Sequence, residues 1–189
     1  MADSLSTTIT AKIDAKFKNT LTGTTAVVDA PISISVAKAF ADGTSANQAD
    51  KCWASKGRTL STSGTEDIDL YDLGTIDIGT GAGGDPLGQS VTYAEIVAIW
   101  VENKSTSTGN IFVGGKAAGT AQFNTIFGVA ETASDTAQVG PIYPGGGFLI
   151  YAPTDPAYLV ADTTNHLLAI TEDGTGAVTY DIMVIARSA

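Results

Sequence analysis

The chain of 189 residues carries 10 Lys and Arg against 20 Asp and Glu, a formal net charge of −10, and its length suits one domain or one domain with an arm. Hydrophobic residues make up 43% and charged residues 16%, which is enough apolar material for a core and well below the roughly 25% charge of an average soluble domain. A single cysteine, Cys52, and a single histidine, His166, exclude an internal disulfide framework, a Cys-based zinc cage and any two-His metal site within one chain.

At the N-terminus, Met1-Ala2-Asp3-Ser4 lacks the basic and apolar regions of a signal peptide, and the chain is expected to be soluble and made in the cytosol. Ile9, Ala11, Ile13, Ala15 and Phe17 then alternate with Thr10, Lys12, Asp14 and Lys16, the period of a half-buried strand. Asn19 to Thr25 reads as a loop, and Ile32, Ile34 and Val36 alternate with Ser33 and Ser35 in a second amphipathic strand. Residues 1–50 thus form an N-terminal β segment, either part of the main sheet or an arm whose apolar face needs a neighbour. Residues 51–189 form the β-sandwich domain.

Asp42 to Arg58 is polar and turn-rich without a clear period. Ile68 with Leu70, and Ile76 with Ile78, suggest short strands, and Gly79 to Gly88 is a glycine-rich loop. Tyr93 to Val101 is the longest apolar run, and its β-branched residues predict a central strand buried on both faces, Trp100 included. No run reaches the roughly 18 apolar residues of a membrane span. Further strands are expected at Asn110 to Val113, Gln122 to Phe127, Gly147 to Ala152, His166 to Thr171 and Val178 to Ala186, separated by Gly, Pro, Asn and Asp turns. Many short strands without helical periods predict an all-β protein, an antiparallel β-sandwich with a jelly roll as first choice.

The chemistry-bearing residues do not assemble into a reactive constellation. The loop Gly79-Thr80-Gly81-Ala82-Gly83-Gly84-Asp85 lacks the Gly-Lys-Ser/Thr of a P-loop and reads as a surface loop. Glu66, Asp67, Asp69, Asp72 and Asp77 lack EF-hand spacing and read as a solvated acidic sheet face. His166 has Asp162 nearby but no Gly-x-Ser-x-Gly nucleophile, and reads as structural. Cys52 reads as a small buried hydrophobe. No catalytic residue, metal or cofactor is expected, and a pI near 4.3 argues against nucleic acid as a partner, because that affinity comes largely from Lys and Arg. Tyr143 and Tyr158 are candidate contact aromatics on loops, serving an interface or a glycan.

Ala41-Asp42-Gly43-Thr44-Ser45-Ala46-Asn47-Gln48-Ala49-Asp50-Lys51-Cys52-Trp53, together with Arg58-Thr59-Leu60, Thr65-Glu66-Asp67-Ile68-Asp69-Leu70 and the closing Val178-Thr179-Tyr180-Asp181-Ile182-Met183-Val184-Ile185-Ala186, resembles a family of small virion structural proteins of tailed bacteriophages. The resemblance implies a β-sandwich protein of the virion, of the capsid cement or decoration type, not an enzyme. It further implies the major capsid protein as partner, self-association as a homotrimer and a place on the capsid surface. It brings no functional residues with it. An assembly arm would use Ile9, Ile13, Phe17, Ile32 and Ile34 as its anchors, adding strands or apolar contacts to a neighbour. The alternative is a tail or fibre-associated protein that binds host-surface glycans.

Overall fold

The structure is a computed structural model and describes residues 4–20, 27–73, 92–115, 121–127 and 138–188. The expectations at Ile76, Asp77, Ile78 and the Gly79–Gly88 loop lie outside the described residues. Among those described the chain is all-β: β1 (Thr7–Thr20), β2 (Val27–Phe40), β3 (Lys51–Leu60), β4 (Thr65–Asp69), β5 (Glu95–Asn103), β6 (Ile111–Gly115), β7 (Gln138–Ile142), β8 (Gly147–Tyr151), β9 (Tyr158–Leu159), β10 (Leu167–Glu172) and β11 (Val178–Arg187).

The strands form three antiparallel sheets. β1 and β2 pair only with each other, β4-β10-β6-β7 make a four-stranded sheet, and β3-β11-β5-β8 make the larger sheet, with β9 added on β5. The last two face each other. Their shared core sets Trp53, Ile99, Val101, Ile182 and Val184 from the larger sheet against Ile68, Leu168, Ile170, Ile111 and Val113 from the smaller. That is a β-sandwich, and its inward rows follow the ladders: Val184 lies opposite both Trp53 and Ile99, and Ile99 opposite Ile150. Alternation within each strand sends the intervening residues outward.

The outer face of the larger sheet carries a second, smaller apolar cluster. Val97, Ala98 and Ile185 are buried there beneath Phe40, with Leu5, Ile9, Cys52 and Tyr151 packed around them. A bulge opposite Ile185 and Ala186 explains how the adjacent Val97 and Ala98 serve one cluster, because the extra residue turns Val97 to the same side as Ala98. Arg187 ties the root of β2 to this end of the sandwich. It is 1% exposed, its Nε donates to the Gln48 carbonyl at 2.9 Å, and its Nη1 donates to Glu95 at 2.7 Å and to the Thr154 carbonyl at 2.8 Å.

Three expectations need correction. The aperiodic stretch before Arg58 contains most of β3, whose Lys51, Lys56 and Arg58 hid the inward Trp53, Ser55 and Leu60. Gln122 to Phe127 is not a strand: a single bridge joins Gln122 to Leu167, a turn follows over residues 125–127, and the buried Phe123 acts as a peg. Trp100 is not core. It stands 40% exposed because the outer face is covered only where Phe40 and its neighbours sit, so two-sided burial holds for Ile96 to Ile99 and ends there.

Candidate functional site

Beyond its root at Ile9 and Phe40, the β1–β2 ribbon does not pack into the described core of the sandwich. Its register places Ala11 opposite Val36, Ile13 opposite Ile34, Ala15 opposite Ile32 and Phe17 opposite Ala30. Directly opposed residues share a face, so the first three of these pairs build one apolar surface. The other face carries Lys12, Asp14 and Lys16 opposite Ser35, Ser33 and Pro31. From residue 10 to 16 and from 29 to 37 the side chains are exposed on both faces. At roughly 3.3 Å per residue those rows are at least about 20 Å long.

Ile13 is 71%, Ile34 70%, Ile32 58% and Val36 41% exposed. Burying such a side chain fully is worth about 1.5–3 kcal/mol, and an isolated two-stranded hairpin is marginal in water. Ion pairs on the polar face, Lys12 to Asp14 at 2.8 Å and Lys16 to Asp29 at 2.7 Å, are solvent-exposed and add little stability. The hydrogen bond from Lys12 holds the Asp14 carboxyl below its ordinary value, with Ser33 adding to the effect. Among the described residues nothing packs on this apolar face beyond its root, and large exposed apolar patches are uncommon on soluble monomers.

The predicted contact residues do not form one site. Ile13, Ile32 and Ile34 come together on the ribbon, while Ile9 lies at its root and packs into the cluster beneath Phe40. Phe17 is placed by its backbone opposite Ala30, and its side chain lies outside the described residues. Tyr143 is 65% exposed at the turn between β7 and β8. Tyr158 is half-buried in β9 against the main core, where burial raises its hydroxyl pKa.

Sequence reasoning missed a second exposed apolar feature. Across the outer face of the larger sheet, Met183 lies opposite both Ala54 and Trp100, and Trp100 opposite Leu149. Trp100 is 40% and Leu149 38% exposed. Phe148-Leu149-Ile150-Tyr151 is apolar without alternation, so no period marks Leu149 as outward. This row lies directly beside the row Cys52–Ile185–Ala98–Tyr151, which the chain's own Phe40 and Ile9 help to cover.

Several charged and hydroxyl groups of the sandwich are engaged with the protein itself. Burial alone would raise the Glu66 carboxyl, but hydrogen bonds from Arg58 and the Tyr180 hydroxyl outweigh it and hold the group below its ordinary value. Burial and the neighbouring Glu66 push the Tyr180 hydroxyl well up. Glu172 accepts backbone N–H groups from Gly174, Thr175 and Gly176 at 2.8, 2.7 and 2.9 Å and another from Ser63, so this anion cradle is filled by the protein's own carboxylate. Asp69 caps the turn at Tyr71 and Asp72 through its Oδ1, at 2.9 and 3.1 Å. His166 Nε2 lies 3.9 Å from the Asp69 Oδ2, and His166 Nδ1 lies 3.4 Å from the Ala161 carbonyl. Cys52 is half-buried, and burial raises its thiol. Among the described residues no three His, Cys, Asp or Glu side chains converge as a metal site would require.

Comparison of the chain with protein-family models, with curated proteins and with solved structures returns no match.

Proposed function

We propose that the chain is a structural virion protein of a tailed bacteriophage, a capsid cement or decoration protein that sits on the capsid surface and stabilises the head by binding adjacent copies of the major capsid protein. It would be made in the host cytoplasm and assemble as a homotrimer, with no role for catalysis, cofactor, nucleic acid or membrane. The observation that carries this reading is the ribbon: a long two-stranded arm with exposed Ile13, Ile32 and Ile34 on one face, rooted in a rigid sandwich. Such an architecture suits a part that completes itself in an assembly. The strand order also supports the jelly-roll form of the sandwich. With the eight longer strands from β3 to β11 counted one to eight, the sheets run 1-8-3-6 and 2-7-4-5, the interleaving that two nested Greek keys produce.

The test is co-sedimentation of the purified protein with capsid shells that lack it. Saturable binding at one trimer per threefold position is expected, and its absence with a folded protein in hand overturns the reading. The tail or fibre alternative is favoured by one observation, the 65% exposure of Tyr143 at a turn. It predicts glycan-array binding that is lost in Tyr143→Ala.

A further inference from the structure

We infer that the apolar face of the ribbon docks on a second copy of this chain, on the outer face of its larger sheet, over Met183, Trp100 and Leu149. The chain shows the chemistry of this contact within itself. At the ribbon root, Ile9 and Phe40, which lie on the same ribbon face as Ile13, Ile32 and Ile34, pack on the outer row that contains Ile185 and Ala98. The next row along the same strands, Ala54–Met183–Trp100–Leu149, is apolar and partly open to solvent. The chain's own ribbon leaves it so, because beyond the root its side chains are exposed. Each copy therefore carries one exposed apolar face to give and one partly exposed apolar row to receive, and the receiving row continues a contact that already exists, since its Met183 packs against the cluster beneath Phe40.

Charge favours a second copy as the occupant. Residues 7–40 hold four lysines and two aspartates, a net of +2, whereas residues 41–189 hold six basic and 17 acidic residues, a net of −11. Two sandwich bodies repel each other, but a ribbon of one is attracted to the body of another. The row beside Trp100 sets Glu102 opposite Asp181, both ion-paired to Lys104 at 3.3 and 2.9 Å, so the attraction rests on the net charge of the whole body. Reciprocal exchange of ribbons closes into a symmetric oligomer in which every copy gives and takes once. The inference does not rest on the virion reading, since its test contains no capsid.

The experiment is the solution mass of the full chain by light scattering, for the wild type, Ile34→Asp and Trp100→Asp. A mass that is a multiple of 19.3 kDa is expected for the wild type. Either substitution should weaken association by about tenfold or more, with the circular dichroism of the folded sandwich retained. A second measurement needs no loss of association. A chain with Ile34→Cys is mixed with a mass-tagged chain with Leu149→Cys, both also carrying Cys52→Ala, under mild oxidation. A mixed disulfide between the two chains is expected. A wild-type mass of one chain, an oligomer indifferent to both Asp substitutions, or disulfides formed only between Ile34→Cys chains would each overturn the inference.

Discussion

Isoleucine plays two opposite parts in this protein, and substitution separates them. Ile170 is fully buried between the sheets, so Ile170→Ala removes transfer energy and leaves a cavity, at an expected cost of about 2–5 kcal/mol. Ile34 is 70% exposed, and Ile34→Ala should change the unfolding free energy of dissociated chains by less than ~0.5 kcal/mol. Denaturant titration at low protein concentration measures both. Glu66 gives a prediction in pH. Its folded pKa lies below the ordinary 4.5, so its stabilisation is complete above that value and is lost as pH falls through the folded one. Glu66→Gln should cost about 1–3 kcal/mol at neutral pH and flatten the acid limb of the stability curve. An unchanged limb would mean that other carboxylates, Asp181 and Glu172 among them, govern it.

Among the elements, the ribbon and the strands β4, β5, β6, β8, β10 and β11 were legible because their apolar residues alternate or cluster between turns. β3 was not, because its lysines and arginine sit among the inward residues and its Ser55 is buried through the ladder rather than through its own polarity. β9 is only two residues long and exists by pairing with β5. The ribbon pattern named its apolar face, yet alternation states only that one side is apolar and not what covers it. The structure refines where to cut. Leu5, Ile9 and Phe40 belong to the packed cluster on the sandwich, so removal of residues 1–20 would damage the body as well as the arm. Replacing Lys12 to Ser35 by Asn-Gly keeps the root and supplies a two-residue hairpin turn. The shortened chain should retain the wild-type melting of the sandwich, measured by calorimetry on dissociated protein, while losing self-association. A collapse of the melting transition would make the ribbon an integral part of the fold.

Over the whole molecule, many short strands separated by Gly, Pro, Asn and Asp turns, without helical periods, pointed to the all-β antiparallel sandwich. The candidate surface was legible only in half. The ribbon announces itself by period, whereas the row around Trp100 arises from register between β11, β5 and β8, which no local pattern encodes. Trp100 was misplaced for the same reason: its exposure depends on where Phe40, sixty residues earlier in the chain, happens to land. The long-range character of these contacts also separates charge in space. The basic ribbon and the acidic body are consecutive in sequence, but the ribbon's exposed rows lie beyond the body that would neutralise them.

Among the described residues the ribbon is also a sheet with two open edges, since β1 and β2 each have a single neighbour. Unpaired backbone along fourteen-residue strands is a template on which further chains can stack without limit. Lys12, Lys16 and Lys18 on β1, and Lys38 with Pro31 on β2, stand along those edges; lysines resist close approach of a like strand, and proline offers no N–H to a ladder. The arm thus exposes its face while its edges make it a poor seed for fibre growth by strand addition.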